Sequence, residues 1–318
     1  NQLNYTPLFL DNGLIFFDNK GTVIRYDDNQ KVLWKVNQYT KSEKKLKPRL
    51  NFALEEENLL ITDNIAKYYS LNVNTGELNW LKDNTYPFNS EIKKNKKKFF
   101  AVDYKNTLKC FNISDGSECW YLQTEDSFTM SNSKLSLIII DDKIIFSNSI
   151  GDITCVDIET GLITWQLPTQ NSNIINEVYN FKISKLVSDD KSIFFSNNRS
   201  EFYSLDVKTG TVNWINKVKS SLTPIIIGNL IFTVSNDGYF HVIEKNKGNV
   251  IRITDLYDDY KIKKRKYIKP TGFAIGNTKL YLSSTDGKII VSDLAFGKVL
   301  DIIKVSRDFI SRPFIFNQ

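Results

Sequence analysis

The chain has 318 residues, 41% hydrophobic and 13% aromatic, which is enough for a packed interior and too much for a disordered polymer. Forty-two basic residues stand against 36 acidic ones, a formal net charge of +6 that is spread over the chain rather than gathered in a tail. No apolar run approaches the ~18–20 residues of a membrane helix, so a soluble body is expected.

Short apolar stretches broken by turn residues begin at once. Thr6 to Leu10 turns at Asp11-Asn12-Gly13, the next stretch turns at Asn19-Lys20-Gly21, and Asp27 then leads to Trp34 through a short loop without glycine. Asn72 to Trp80, with Thr75 and Gly76, and Asn112 to Trp120, with Asp115 and Gly116, follow at matching spacing. Leu135 to Ile140 is the strongest apolar run; its length suits a buried strand, and Asp141-Asp142 turns the chain after it. The clearest copies come next: Asp157-Ile158-Glu159-Thr160-Gly161 before Trp165, and Asp206-Val207-Lys208-Thr209-Gly210 before Trp214. Residues 219–256 read as four strands, Thr223–Ile227, Leu230–Val234, Tyr239–Glu244 and Asn249–Asp255, joined by Gly228-Asn229, Asn236-Asp237-Gly238 and Asn246 to Gly248. Glu244-Gly248-Arg252 and Asp293-Gly297-Asp301 keep the acid and glycine but lose the tryptophan. The segment from Ser311 to Gln318 resembles the opening of another repeat.

The seven copies recur at a period of 38 to 49 residues, and all five tryptophans fall in one slot of them. Self-similarity of this kind signals a repeat architecture. Each unit is one antiparallel meander that cannot bury both its faces alone but can when stacked radially on its neighbours, as in a β-propeller. The expected turn is a three-residue hairpin loop closed by a left-handed Gly76, Gly116, Gly161, Gly210, Gly248 or Gly297. Trp34, Trp80, Trp120, Trp165 and Trp214 would then cover the neighbouring sheet as scaffold residues. The fold class is therefore all-β. One propeller domain over residues 1–318 is expected, without helical periodicity.

Chemistry-bearing groups are few. The chain has three cysteines and one histidine, His241, which make no zinc set at recognised spacings. Cys110 and Cys119 flank the Ser114-Asp115-Gly116 turn and are either a cross-strand disulfide or small core-filling thiols; Cys155 has no partner in sequence. The two dense basic clusters, Lys93–Lys98 and Lys261–Lys269, lack interleaved aromatics and read as solvated loops, so no nucleic-acid partner is expected. No nucleophile elbow, phosphate loop or calcium loop is present.

The Asp-x-x-Thr-Gly-x-x-x-Trp units resemble the pyrroloquinoline-quinone-like repeat family over essentially the whole chain. WD-type repeats are the competitor; with one histidine and no tryptophan followed by Asp, they fit poorly. The resemblance implies an eight-bladed propeller with seven blades recognisable and the last, opened by Arg312 to Asn317, incomplete; a seven-bladed ring is the alternative. Quinoprotein dehydrogenases of this family are much longer and commonly carry adjacent cysteines over their quinone, and this chain has no Cys-Cys pair. It is more similar to the cofactor-free BamB lipoproteins of the barrel-assembly machinery. That implies a non-enzymatic, monomeric scaffold in the bacterial periplasm, without a cofactor, held at the outer membrane by a lipid anchor on an upstream targeting segment absent from this sequence. Its partner would be the barrel-assembly core subunit. In that class a Leu-rich segment with an Arg and a nearby acidic pair meet the partner. Leu135 and Leu137 are the corresponding candidates, although Ile138 stands where the Arg would be, and Asp189-Asp190 reads equally well as a turn. A quinone-dependent dehydrogenase, or another periplasmic binding propeller, is the alternative function.

Overall fold

The structure, a computed structural model, describes residues 7–125, 134–169 and 182–315. They form seven four-stranded antiparallel sheets, each a meander with its strands in chain order. Blade 1 is β1 (Leu8–Leu10), β2 (Gly13–Phe17), β3 (Val23–Tyr26) and β4 (Val32–Val36); blade 2 is β5 (Leu50–Glu55), β6 (Asn58–Asp63), β7 (Lys67–Asn72) and β8 (Leu78–Asp83). Blade 3 is β9 (Lys93–Asn95), β10 (Lys98–Val102), β11 (Thr107–Asn112) and β12 (Glu118–Gln123); blade 4 is β13 (Leu137–Ile140), β14 (Lys143–Ser147), β15 (Ile153–Asp157) and β16 (Ile163–Leu167). Blade 5 is β17 (Val187–Ser188), β18 (Ser192–Ser196), β19 (Phe202–Asp206) and β20 (Val212–Asn216). Blade 6 is β21 (Ile225–Ile227), β22 (Leu230–Val234), β23 (Tyr239–Glu244) and β24 (Val250–Asp255); blade 7 is β25 (Pro270–Gly276), β26 (Lys279–Ser284), β27 (Lys288–Asp293) and β28 (Val299–Lys304). Blades 1–4 belong to one compact unit and blades 5–7 to a second, divided within residues 170–181.

Strand chemistry follows position. The second strands (β6, β10, β14, β18 and β22) are buried on both faces and read as apolar runs such as Lys98-Phe99-Phe100-Ala101-Val102. Outer strands such as β12, β16 and β20 alternate exposed and half-buried residues, the pattern of a sheet with one solvated face. Within each unit the core lies between successive blades. Phe17, Leu59 and Leu71 join blades 1 and 2; Tyr68, Phe99 and Phe111 join blades 2 and 3. Phe100, Leu108 and Phe146 join blades 3 and 4, Phe202 and Ile231 join blades 5 and 6, and Phe240 and Leu282 join blades 6 and 7. A sheet that buries both faces only against neighbours has no stable existence alone.

One expectation is corrected. The repeat turn is a four-residue loop rather than three: Asn72 N–H donates to Glu77 O while Gly76 N–H donates to Asn72 O, both at 2.8 Å. Only blade 1 has three, with Gln30 taking the left-handed position at φ 63° that glycine fills elsewhere. Two short helices, α1 (Lys41–Lys45) and α2 (Ile262–Arg265), lie in connections between blades. A capping box starts α1: Thr40 Oγ1 accepts from Glu43 N and Thr40 N donates to Glu43 Oε2. Residues 311–315 of the anticipated eighth opening are not strand. Thr271 Oγ1 donates to Ile310 O (2.7 Å) and Arg312 Nε to Phe273 O (3.2 Å), which lays this segment along β25. Residues 316–318 lie outside the described set.

Candidate functional site

The repeated acid–Thr–Gly–Trp slot sits where one blade meets the next. Asp157 Oδ1 accepts from the Glu159 and Thr160 amides and from the Thr160 hydroxyl. Asp206 repeats this with Lys208 and Thr209. These bonds hold both carboxyls below the usual range, with the Thr160 hydroxyl foremost for Asp157 and the Thr209 amide foremost for Asp206. The glycine that closes each loop (Gly76, Gly116, Gly161, Gly210, Gly248 and Gly297) has φ between 69° and 77°.

Four of those glycines lie under a tryptophan of the preceding blade. A Cβ on Gly76, Gly116, Gly161 or Gly248 would stand 2.5–2.9 Å from the ring of Trp34, Trp80, Trp120 or Trp214 respectively. The indole Nε1 of Trp34, Trp80 and Trp214 donates at 2.9 Å to the carbonyls of Val73, Ile113 and Lys245, in the loops so covered. Trp165 holds the same slot on β16, and Gly210 the same turn in blade 5. All five tryptophans, Trp34 among them, are half-buried. In blade 6 Arg252 replaces the indole: its guanidinium donates to Leu294 O (2.8 Å) and to Ala295 O, while Thr254 rests on Gly297.

A second repeated position escaped the sequence reading. An Asp or Asn ends the second strand or directly follows it, at Asp18, Asp63, Asp103, Asn148 and Asn197, and its Oδ1 accepts from the amides two and four residues on, at 2.8–3.1 Å. Its signal was an Asp or Asn at the repeat period itself, just before each inner turn. Two of these acids are fully buried. Burial raises Asp63 to about 6, against hydrogen bonds from Tyr39 Oη (2.6 Å) and the Ile65 and Lys67 amides that pull the other way. Burial likewise raises Asp103, whose Thr107 and Lys105 amides oppose it.

The remaining candidates fall into structural settings. Leu135 and Leu137 are 3% and 2% exposed, packed on Phe100, Leu108, Ile144 and Phe146. Leu135 N–H donates to Asn89 O (2.7 Å), which ties it to the neighbouring blade. Neither side chain presents a surface to a partner, which corrects their sequence-based assignment. Asp189 accepts from the Lys191 and Ser192 amides in a turn and pairs with Lys245 of blade 6 at 2.7 Å. The basic clusters carry acidic partners: Lys94 pairs with Glu55, Lys98 with Glu159 (2.6 Å), Arg265 with Asp255 (2.6 Å) and Lys269 with Asp237 (3.2 Å). His241 is buried between Thr233 and Ile253, and burial lowers its pKa. All three cysteines are free thiols. Among the described residues no three His, Cys, Asp or Glu side chains gather as a metal site, and no helix is long and apolar enough to cross a membrane.

Seven four-stranded blades, with a tryptophan over the turn glycine at four of the seams, define a β-propeller of pyrroloquinoline-quinone-like repeats. The chain belongs to the family described as outer membrane protein assembly factor BamB, whose sequence profile matches residues 19–254. No curated protein matches the sequence. Among solved structures it is similar to BamB from Moraxella catarrhalis, with a TM-score of 0.77 at 14% identity, covering 98% of this chain and 90% of that one. A europium-containing methanol dehydrogenase has a TM-score of 0.72 at 11% identity, covering 96% and 79%. The C-terminal WD40 domain of Sif2 reaches 0.69 at 13%, covering 98% and 91%. At these identities the likeness shows the fold alone.

Proposed function

We propose that the chain is a non-catalytic periplasmic scaffold that assists the assembly of outer-membrane β-barrel proteins. It works as a monomer beside the barrel-assembly core subunit, held at the outer membrane by a lipid anchor. The observation that carries this reading is membership of the BamB family across residues 19–254. The geometry supports it: the acids of the repeats serve turn amides, and the tryptophans serve the seams between blades. Rigid blades topped by loops suit binding a protein partner without a deep polar site.

Affinity capture tests it. The full-length protein, tagged and expressed with its own leader in its native bacterium, is purified from detergent-solubilised envelopes. The reading expects outer-membrane fractionation and co-elution of the barrel-assembly core subunit. Cytoplasmic fractionation without that subunit would overturn it.

A further inference from the structure

We infer that Cys110 and Cys119 form a dithiol redox site in blade 3 that closes to a disulfide on meeting a disulfide-bearing oxidant. The inference is independent of the partner assigned above and begins with strand register. Cys110 faces Trp120 and Phe111 faces Glu118, so the ladder between β11 and β12 slips by one residue and leaves Cys119 as the extra residue of a bulge. The same slip recurs beside the repeat turn in other blades, between Ser70 and Leu71 and between Ser204 and Leu205. There the two side chains corresponding to Cys110 and Cys119 touch: Asn79 Nδ2 donates to Ser70 Oγ at 3.0 Å, and Asn213 Nδ2 to Ser204 Oγ at 3.2 Å. Blade 4 puts Cys155 and Thr164 in this slot. Among the described blades, only blade 3 fills both positions with cysteine.

The two sulfurs differ in access. Cys110 is 0% exposed, whereas Cys119 is exposed with its Sγ 3.5 Å from Asn112 Oδ1. Burial first, and then contact with Cys119, push the Cys110 thiol well above its ordinary range. Lys98 Nζ, bound to Glu159 Oε2 at 2.6 Å, lies near the pair. Cys119 is therefore the sulfur that an incoming disulfide meets. Its thiolate attacks one sulfur of the oxidant, forming a mixed disulfide and expelling a thiolate. That thiolate, or solvent, takes the Cys110 proton. The Cys110 sulfur then attacks the Cys119 sulfur and expels the oxidant's second thiolate. The protein loses two hydrogens and two electrons, and the oxidant gains them as two thiols. The closed bond staples β11 to β12 beside Trp120, whose ring covers Gly161 of the next blade.

Oxidised glutathione is the probe. The reduced, purified full chain is incubated with it, then alkylated, weighed intact and mapped by peptide. The expected product has lost two hydrogens, carries a Cys110–Cys119 linked peptide, holds no glutathione and leaves Cys155 free. Cys110→Ser, a substitution the slot already accommodates as Ser70 and Ser204, is expected to retain one glutathione on Cys119. Unsubstituted protein that keeps glutathione on Cys119 with Cys110 free, or in which both thiols remain alkylatable, would overturn the inference without recourse to any variant.

Discussion

A Cβ on Gly116 would stand 2.6 Å from the Trp80 ring and force an L-residue to φ 69°. The clash and the backbone strain are separable because the ring is the only part that can be removed independently. Gly116→Ala is expected to destabilise the protein by about 2–4 kcal/mol. Trp80→Ala, which loses ring contacts with Tyr68 and Phe99, is expected to cost a similar ~2–4 kcal/mol, since the indole is half-buried. In a denaturant double-mutant cycle the pair should cost less than the sum, and strict additivity would show that ring and glycine do not meet. Asp63 carries a pH signature. Its folded pKa, about 6, lies above the ordinary 3.8 because burial disfavours the carboxylate. The folded state thus holds the proton more tightly, so this group's stabilisation is full below 3.8 and is lost as the pH rises through about 6. Asp63→Asn preserves the turn bonds, as Asn148 and Asn197 do in theirs. It should be more stable than the parent at about pH 8, by up to ~3 kcal/mol, with the gain fading towards about pH 4. Melting curves across pH check this; a variant less stable at high pH would mean that the charged form is the one the site favours.

Blades are the elements that the sequence spelled out best, because period-two alternation and glycine turns have local causes. Leu230–Val234 and Tyr239–Glu244 form strands with the anticipated bounds. What lay hidden was relational. Leu135 and Leu137 belong to an apolar run, but whether that run faces a partner or the core depends on Phe100 and Phe146, which are brought close only by folding. The Asp63 class of turn residues was hidden because an Asp or Asn beside a turn has the same composition as the turn itself, and only folding shows its Oδ1 bound to the amides two and four residues on. The four-residue loop turned on a single extra residue, and α1 was announced by Thr40-x-x-Glu43, a short capping signal without periodicity behind it. The Arg252 slot shows that the seam tolerates different chemistry: a guanidinium reaches the Leu294 and Ala295 carbonyls where an indole would otherwise sit. Arg252→Ala should therefore loosen blade 7 selectively, raising amide hydrogen exchange in β27 and β28 while leaving blades 2 and 3 unchanged. Uniform acceleration across all blades would contradict a local seam.

Across the whole molecule, family membership and repeat chemistry point the same way, although fold alone does not assign function. The same fold carries both an assembly factor and a dehydrogenase, as the likeness to BamB and to a methanol dehydrogenase illustrates. The scaffold reading proposed above turns on the use to which the polar groups are put. In Asp63, Asp103, Asp157 and Asp206 the Oδ1 oxygen accepts from backbone amides of its own turn. A dehydrogenase would need one of these carboxylates to take a proton from its substrate, and Asp103, whose buried Oδ2 has no hydrogen-bond partner among the described residues, is the one to test. The direct measurement is dye reduction by the purified full chain supplied with pyrroloquinoline quinone, calcium and a panel of alcohols and sugars. The account predicts a rate equal to the protein-free control; quinone-dependent turnover that disappears in Asp103→Asn would contradict it.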